Sequence, residues 1–387
     1  MSALQPVSLN PQPSTLDLLQ GLRVCLIAGT LGQGGAERQL FYMLQCLKEC
    51  GAEVNLLSLT QGEYWEAPIQ RLGVPIYFVG GPGTRLRRLR CVIQTVRRLR
   101  PQVIQCQHFY TNLYGALAAR WLGLPSVGGV RSDGFNELKS NGRFFGRLSL
   151  TLPQMVAANS NRAIENLRSI GCDPRKLHLL PNVIDTAWFH PGERSRSRDD
   201  FVILGVGSLE PVKRFDRLIE IALTLRSKIQ RGVRVVLAGA GRLRQLIAGL
   251  AQQAREQGVK VDLVGRVTDP LALLQLYQSA DVLLLTSDHE GTPNVIMEAM
   301  SCGLPVVATA VGGVADLVQP GEAGFLFAPD QAEQAVAALV QLAREPSLAS
   351  GLGARARSLI EAKYSVALLP NLLAGLYEKA LAPSPSP

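Results

Sequence analysis

The chain has 387 residues, of which 47% are hydrophobic and 18% are charged. This length exceeds the usual size of one hydrophobic core, so the sequence predicts two domains. The composition excludes a largely disordered chain, because there is ample apolar material to bury. No apolar run approaches the roughly 20 residues of a membrane helix, and the first residues lack the pattern of a secretory signal. We expect a cytoplasmic protein, either soluble or peripheral at the inner face of a membrane.

The net charge of +9 lies wholly in the first half of the chain. Residues 1–190 contain 20 Lys and Arg against 11 Asp and Glu, whereas residues 191–387 contain 20 of each. Much of the excess lies in a stripe from Arg85 to Arg100, which would attract an anionic membrane surface or a lipid diphosphate. A solvated helix face is the alternative. Leu and Val, not stacking aromatics, separate these arginines, so we expect no nucleic acid partner.

The seven cysteines are scattered and show no Cys-x2-Cys pair, which is typical of a protein from a reducing compartment. Cys46 and Cys50 are spaced to lie on one helix face and could in principle coordinate a metal. No histidine or second cysteine pair completes such a site, so buried apolar side chains are the favoured interpretation. We predict no metal.

Short apolar runs alternate with helical patterns in both halves of the chain, which is typical of a parallel sheet built from βαβ units. The runs cover residues 22–29, 54–59, 76–79, 103–106, 126–130, 201–206, 233–238, 259–264, 282–286 and 305–309. A polar segment at 190–200 reads as a linker. The sequence therefore predicts two doubly wound α/β domains, at 21–190 and 191–365, with a cleft at the carboxyl ends of both sheets. We expect residues 1–20 to be flexible, and 366–387 to form a helix and tail that packs back on the N-terminal domain.

The sharpest local signal is the segment of residues 288–309, in which seven residues separate Glu290 from Glu298. Gly291, Thr292 and Pro293 make a tight turn after an apolar strand, and proline suits the first turn of a helix. A helix start preceded by glycine favours anions, because its backbone N–H groups and its dipole point at the ligand. We expect a phosphate here, with Glu298 near ribose hydroxyls and Glu290 near a sugar. Two surface carboxylates at a helix start are the alternative.

Several weaker motifs occur in order along the chain. They are LGQGGAERQLFYML near the start, HFYTNLYGALAARWLGLP at 108–125, PNVIDTAWFHP at 181–191, VGSLEPVKRFDRLIE at 206–220, LAGAGRLRQLI at 237–247 and VGRVTDPLALLQLYQSADVLLLTS at 264–287. With the two glutamates, this series resembles glycosyltransferase family 4, from about residue 22 to about residue 365. The resemblance implies the GT-B architecture of two facing Rossmann-like domains, with the nucleotide-sugar donor held by the C-terminal domain and the acceptor by the N-terminal one.

The resemblance also implies roles for individual residues. In the family the second glutamate, here Glu298, binds the donor ribose, and the first, here Glu290, contacts the donor sugar. The backbone groups expected to meet the donor diphosphate are those of Gly34, Gly35, Gly291, Thr292, Pro293, Asn294 and Val295. Lys213 matches the lysine that stabilises charge on the leaving phosphate. We therefore expect Glu290 and Lys213 to act in catalysis.

One position departs from the family pattern. Members commonly carry an arginine beside that lysine, within a Gly-Arg-Leu run, where this chain has Ser208. A hydroxyl cannot replace a guanidinium. Either Arg214 compensates, or the leaving group is less well stabilised; an exposed turn at 213–214 is a further alternative.

In the first half, His108 follows an apolar strand and matches the family histidine that contacts the donor sugar and the reacting centre. Taken alone, a histidine at a strand end is more often structural, but the position in the family motif reverses this preference, so the resemblance implies that His108 acts in catalysis. Arg131 follows the next strand and is a weaker candidate for acceptor or phosphate contact. Glu37 has a simpler interpretation, in which its carboxylate complements the start of a helix.

Family members retain the anomeric configuration without a bound metal, and this chain has no Asp-x-Asp triplet. The resemblance thus implies a retaining, metal-independent glycosyltransferase with no cofactor other than a UDP- or GDP-sugar co-substrate. Its acceptor would be a sugar or a lipid-linked glycan of envelope polysaccharide, exopolysaccharide or glycolipid biosynthesis. An epimerase of the same fold and a non-enzymatic membrane- or nucleic-acid-binding module are alternatives. A dinucleotide oxidoreductase is disfavoured, because the glycine turns lack the Gly-x-Gly-x-x-Gly spacing.

Overall fold

The computed structural model of the protein describes residues 13–192 and 199–382. The chain divides into two compact units, an N-terminal unit that ends at Val183 and resumes at Val366, and a C-terminal unit over Ile184–Ser365. The division thus falls seven residues before the sequence-based boundary at 190/191. Three predicted segments lie partly outside the described residues: the N-terminal segment over 1–12, the linker over 193–198 and the tail over 383–387.

The N-terminal unit contains a seven-stranded parallel sheet of order β3-β2-β1-β4-β5-β6-β7. Its strands are β1 (Arg23–Ala28), β2 (Glu53–Ser58), β3 (Ile76–Phe78), β4 (Val103–Cys106), β5 (Ser126–Val130), β6 (Met155–Ala158) and β7 (Leu177–Leu179). Its helices are α1 (Pro13–Leu19), α2 (Gly35–Glu49), α3 (Glu66–Arg71), α4 (Arg85–Leu99), α5 (Asn112–Leu122), α6 (Phe135–Asn141), α7 (Arg143–Thr151), α8 (Asn161–Ser169) and, from the end of the chain, α16 (Leu369–Leu381).

The C-terminal unit contains a six-stranded parallel sheet of order β10-β9-β8-β11-β12-β13. Its strands are β8 (Asp200–Val206), β9 (Gly232–Ala238), β10 (Val259–Gly265), β11 (Val282–Leu285), β12 (Val306–Thr309) and β13 (Gly324–Phe327). Its helices are α9 (Phe215–Arg226), α10 (Arg244–Glu256), α11 (Pro270–Ser279), α12 (Asn294–Ser301), α13 (Val314–Leu317), α14 (Ala332–Arg344) and α15 (Pro346–Lys363). The predicted α/β class with two doubly wound sheets is confirmed.

The continuous apolar runs of the C-terminal unit are explained by burial on both faces of its sheet. In β8, Phe201 and Ile203 pack into one core cluster with α9 and α14, whereas Val202 and Leu204 pack into a second cluster with α11 and α12. Because successive side chains of a strand point to opposite faces, a run with no polar alternation requires helices on both sides.

In each sheet the strand order reverses at one point, between β1 and β4 in the N-terminal unit and between β8 and β11 in the C-terminal unit. Loops leave such a switch point in opposite directions, and α/β proteins bind ligands in the crevice outside the carboxyl ends of the strands there. The segments that follow these four strands contain Gly29–Gly35, His108, Gly207–Lys213 and Ser287–Glu290. The topology of each unit therefore singles out most of the residues that the motifs selected.

Helices α1 and α16, which are distant in the sequence, pack together in the N-terminal unit. Helix α16 packs against α1, α2 and β4, and the Thr15 hydroxyl donates a hydrogen bond to Asn371 Oδ1 at 2.7 Å. Leu19 is fully buried. The expectation that residues 1–20 are flexible is therefore wrong for Pro13–Leu19, because α16 covers the apolar side of a segment too short to be stable alone.

The basic stripe forms helix α4, capped at its start by the Thr84 hydroxyl and ended by Arg100 in the left-handed conformation. Its buried side consists of Val92 and Val96, and most of its arginines are exposed. Within the described ranges, no helix has both the length and the apolar character to cross a membrane.

Candidate functional site

In the C-terminal unit, Lys213 and Glu290 form an ion pair at the carboxyl edge of the sheet. Lys213 Nζ lies 2.6 Å from Glu290 Oε1, and the Ser287 hydroxyl donates to the same oxygen at 2.6 Å. The Lys213 side chain is 22% exposed and the Glu290 side chain 8%. The structure thus brings together two residues 77 positions apart that the motifs select independently.

The loop that contains Glu290 is held by a second loop that follows β12. Gly312 has a φ of +53°, and a Cβ there would lie 1.7 Å from the Glu290 carbonyl oxygen. The Gly313 N–H donates to the Gly291 carbonyl at 2.8 Å, and the Thr309 hydroxyl donates to the Ser287 carbonyl at 2.7 Å. Only glycine combines this backbone angle with so close an approach. Gly312 therefore positions Glu290, a role that the motif reading missed.

Helix α12 begins directly after the Gly291–Pro293 turn, with Pro293 at its N-cap. No side chain caps this end, and Thr292 and Asn294 are buried. The Ile296 N–H donates to the Pro293 carbonyl at 3.2 Å. The dipole of a helix favours an anion at its start. Anion binding at this turn stays a prediction.

Glu298 lies in the second turn of α12 and is 1% exposed. Its Oε2 accepts a hydrogen bond of 2.6 Å from the hydroxyl of Tyr277, which lies on α11 and is fully buried. The carboxylate is therefore anchored inside the unit, a partnership that no sequence motif indicates.

Arg214 is held by acidic neighbours. Its guanidinium donates hydrogen bonds to both carboxylate oxygens of Asp216 and to Asp288 Oδ2, the latter at 3.3 Å, and the hydrogen bond to Asp216 raises the pKa of Arg214 above its usual value. Arg217 also bonds Asp288, at 2.8 Å. Ser208 is exposed. The charge of Arg214 is therefore neutralised by these carboxylates. This geometry disfavours the hypothesis that Arg214 compensates for the arginine that Ser208 replaces.

In the N-terminal unit, His108 joins the ends of β1 and β4. The Gly29 N–H donates to His108 Nδ1 at 3.0 Å, and His108 Nε2 lies 3.2 Å from Glu37 Oε1. The ring stacks on Tyr110, with centroids 5.6 Å apart. Burial would raise the pKa of Glu37, but hydrogen bonds from His108 and Thr30 outweigh it and hold the pKa below its usual value.

Gly34 and Gly35 lie at the start of α2, with Gly34 as the N-cap. A Cβ at Gly34 would lie 2.2 Å from Glu37 Oε2, so the turn has room for this carboxylate only because it is glycine. Glu37 thus does more than complement the helix start, because it also bonds His108 and Thr30. The turn that was expected to meet a diphosphate has an ionised carboxylate beside it.

Arg131 follows β5 at the same edge of the sheet. Its guanidinium donates to the Leu180 carbonyl at 3.2 Å and to Gln107 Oε1 at 3.4 Å. Burial lowers its pKa to about 10. The side chain ties the ends of neighbouring strands together, and its Nε atom is buried without a partner among the described residues.

Among the described residues, no group of three or more His, Cys, Asp or Glu side chains has the arrangement of a metal site. Cys46 on α2 and Cys50, which caps the end of that helix, are both buried. Their burial agrees with the interpretation of these cysteines as apolar core side chains.

The fold and these sites place the protein in a structural class. Two parallel α/β units of seven and six strands are the architecture of GT-B glycosyltransferases. The chain is similar to the crystal structure of HepE (Alr3699) from Anabaena in complex with UDP, with a TM-score of 0.79 and 19% identity. That similarity covers 92% of this chain and 100% of the other.

Family models give the assignment. The Glycosyltransferase Family 4 model matches residues 33–188, and the Glycosyl transferases group 1 model matches residues 188–359. The chain belongs to this family of glycosyltransferases, as the motif series predicted.

Two relatives illustrate the range of similarity. A D-inositol 3-phosphate glycosyltransferase of Geodermatophilus obscurus is 34% identical over 216 residues, which cover 51% of this chain and 47% of the relative. An MMP alpha-(1->4)-mannosyltransferase of Mycolicibacterium hassiacum is 30% identical over 276 residues, which cover 68% of this chain and 61% of the relative. The chain therefore spans about half the length of the first of these relatives.

Proposed function

We propose that the protein transfers a sugar from a nucleoside-diphosphate sugar to an acceptor hydroxyl, with retention of the anomeric configuration and without a metal. The observation that carries the proposal is the Lys213–Glu290 pair, which lies at the switch point of the C-terminal sheet beside the loop that opens α12. A cation and helix N–H groups suit a diphosphate, and a carboxylate suits sugar hydroxyls.

In this proposal the diphosphate takes the place of Glu290 as the partner of Lys213. Glu290 then turns to the hydroxyls of the transferred sugar, and Ser287 and Gly312 keep its loop in place. Lys213 and the first N–H groups of α12 stabilise the negative charge that develops on the leaving phosphate. Glu298, held by Tyr277, accepts hydrogen bonds from the ribose.

The chemical step follows from these roles. The acceptor oxygen forms a bond to the anomeric carbon on the face that the phosphate leaves, while the bond from that carbon to the phosphate oxygen breaks. The departing phosphate oxygen takes the proton of the acceptor hydroxyl. No protein nucleophile is needed, and the new bond has the configuration of the donor.

A uridine donor is the first choice, because the similar HepE structure contains UDP. The N-terminal unit binds the acceptor at the edge that carries His108 and Arg131, and His108 meets the transferred sugar. The two relatives bear the names of enzymes that act on a phosphorylated inositol and that transfer mannose, so sugar-like polyols and oligosaccharides are the acceptors to screen first.

A lipid-linked acceptor at an anionic membrane is favoured by the surface of the N-terminal unit. Arg85 lies over the ring of Phe145 at 5.5 Å, and Phe144 and Leu86 are 69% and 77% exposed. Exposed apolar side chains beside a basic helix suit the boundary between headgroups and acyl chains. The protein would then act in envelope polysaccharide, exopolysaccharide or glycolipid synthesis.

The donor site is tested by thermal stabilisation of the full chain with UDP, GDP, ADP and their sugars. A ligand at about 100 times its Kd adds roughly 2.7 kcal/mol to the free energy of unfolding. Glu290→Gln should lose much of the stabilisation by the nucleotide sugar but keep that by the nucleotide. Glu361→Gln, which alters a surface ion pair with Arg357 in the same unit, is the matched control.

The reaction is tested with the nucleotide sugar that binds, in buffer containing EDTA. Transfer to an acceptor, with an NMR spectrum that shows the donor's anomeric configuration in the product, is expected. An inverted product would contradict the proposed stereochemistry, and loss of activity in EDTA would contradict metal independence. Interconversion of the nucleotide sugar without any acceptor would identify an epimerase instead.

A further inference from the structure

Both ring nitrogens of His108 are engaged by groups of the N-terminal unit. The Gly29 N–H donates to Nδ1 at 3.0 Å, so Nδ1 is an acceptor and carries no proton. In a neutral imidazole the proton must then be on Nε2, which faces Glu37 Oε1 at 3.2 Å. Because a backbone N–H can only donate, the tautomer of His108 follows from the positions of the heavy atoms.

Glu37 is itself fixed at the point where it meets the histidine. The Thr30 hydroxyl donates to the same Oε1 at 2.5 Å, and the second oxygen lies against Gly34. Hydrogen bonds from His108 and Thr30 outweigh burial and keep the pKa of the carboxyl low, so Glu37 is an ionised acceptor at neutral pH. The side chain is 11% exposed, which limits competition from water.

The ring of His108 also has little freedom to turn. Tyr110 stacks on it with an interplanar angle of 29°, and the Tyr110 hydroxyl fills the space beside Gly29, where a Cβ would lie 1.9 Å from it. A flip of the imidazole would put Cδ2 and Cε1 where Nδ1 and Nε2 now lie and would lose both hydrogen bonds. Thr30, Glu37, Tyr110 and the Gly29 amide therefore define one orientation of the ring.

We propose that Glu37 is a positioning residue that holds His108 as a hydrogen-bond donor through Nε2 and prevents this nitrogen from acting as a base. The inference rests on the proposed function, in which His108 meets the transferred sugar. The separation of 3.2 Å is longer than the usual 2.9–3.0 Å of an N–H···O bond, so the Nε2 proton can be shared with a sugar hydroxyl.

The first test reads the tautomer directly. The chain has four histidines, so long-range proton–nitrogen NMR spectra of protein labelled with 15N-histidine are simple, and His108→Ala assigns the signal. We expect the proton of the ring on Nε2 and none on Nδ1, without any substrate. A ring protonated at Nδ1, or a mixture of both tautomers, would overturn the proposal.

The second test is a double-mutant cycle on transfer activity. Glu37→Ala should lower kcat/KM by about tenfold or more in the wild-type background and by less than about twofold in the His108→Ala background. Glu37→Gln keeps an acceptor oxygen and should be milder; it also replaces Glu37→Ala in the cycle if the alanine variant fails to fold. Equal losses in both backgrounds would mean that Glu37 only supports the start of α2.

Glu66→Gln is the matched control. Glu66 begins α3 in the same unit, and its carboxylate accepts a hydrogen bond from the Gly62 N–H at 2.5 Å but has no proposed contact with substrate. We expect its activity to equal that of the wild type. If the wild-type chain transfers no sugar, the proposed function fails, but the NMR measurement of the tautomer still tests the role of Glu37. If the chain transfers sugar and the effects of Glu37→Ala and His108→Ala simply add, only this inference fails.

Discussion

At the scale of single residues, the chemistry-bearing side chains of each unit are held in pairs. Lys213 pairs with Glu290, Glu298 with Tyr277, and His108 with Glu37. In each pair, one side chain provides the hydrogen bond or charge that makes burial of the other less costly, and the pairing fixes the orientation of both side chains. Substitutions in these pairs should therefore affect activity more than stability where the side chain is partly exposed, and both where it is buried.

Lys213→Ala should lower kcat by about 10²- to 10³-fold, which corresponds to roughly 3–4 kcal/mol of lost transition-state stabilisation. The reason is that the lysine meets charge that develops only as the phosphate leaves. Steady-state kinetics with the donor that binds measure this effect. Lys228→Ala, at an exposed position after α9, should keep the wild-type rate, and an unchanged kcat in Lys213→Ala would contradict the assigned role.

Glu137 gives a prediction about pH. Burial raises its pKa to about 7, although the backbone N–H of Arg131 acts against the shift. A carboxyl whose pKa is raised on folding contributes stability that is present below its unfolded pKa, near 4.5, and is lost as pH rises through 7. The free energy of unfolding of Glu137→Gln, relative to that of the wild type, should therefore rise by about 1–3 kcal/mol as the pH is raised from 4 to 8.

Urea unfolding at several pH values measures this difference. Glu165→Gln is the control, because the Glu165 side chain on α8 is 61% exposed. As a substitution at an exposed site, it should change the free energy of unfolding by less than about 0.5 kcal/mol. A flat difference for Glu137→Gln would show that the carboxyl titrates normally in the folded protein.

At the scale of elements, α16 completes the core of a unit whose other elements lie more than 180 residues earlier. The Tyr377 hydroxyl donates to Gln105 Oε1 at 2.5 Å, both side chains are fully buried, and Gln105 lies on the central strand β4. A buried polar pair of this kind fixes one position of the helix against the sheet. We infer that α16 is an integral part of the N-terminal unit.

Tyr377→Phe should destabilise the N-terminal unit by about 1–3 kcal/mol, because Gln105 Oε1 loses its donor while it stays buried. Native-state hydrogen exchange at the amides of β4 localises the loss to this unit. Tyr64→Phe, at a side chain 39% exposed, should change stability by less than about 0.5 kcal/mol. Unchanged exchange in β4 would argue that α16 is held by its apolar contacts alone.

At the scale of the whole molecule, the charge is unevenly divided, since the excess of +9 belongs to residues 1–190. Within the N-terminal unit, Arg85 of α4 lies over the exposed ring of Phe145 on α7. Removing positive charges from α4 should therefore weaken binding to anionic surfaces more than removing the same number from the C-terminal unit.

Arg85→Gln combined with Arg90→Gln should weaken binding to vesicles of mixed phosphatidylserine and phosphatidylcholine by about 1 kcal/mol per charge. Lys228→Gln combined with Lys363→Gln removes the same charge from the C-terminal unit and should have little effect. Co-sedimentation at several salt concentrations measures both. Equal losses for the two double variants would indicate a general effect of net charge.

Local patterns in the sequence were enough for the α/β class, most strands and the turn at Gly291–Pro293, because these depend on hydrophobic runs, glycine and proline near each other in the chain. Strands β6, β7 and β13 were not predicted. These short strands contain, respectively, two alanines, a histidine and a glycine, which weaken the apolar run that indicates a strand. The helix at residues 13–19 was not predicted, because its stability comes from packing against α16.

The sequence by itself therefore determined the type of fold and the residues that could carry chemistry, because periodicity and motif spacing are local properties. Tertiary structure alone decided how those residues are used. It tied Arg214 to Asp216 and Asp288, placed Glu298 against Tyr277, and joined Glu37 to His108. These partners lie on different elements or depend on backbone direction, and packing across each sheet, not spacing along the chain, sets their distances.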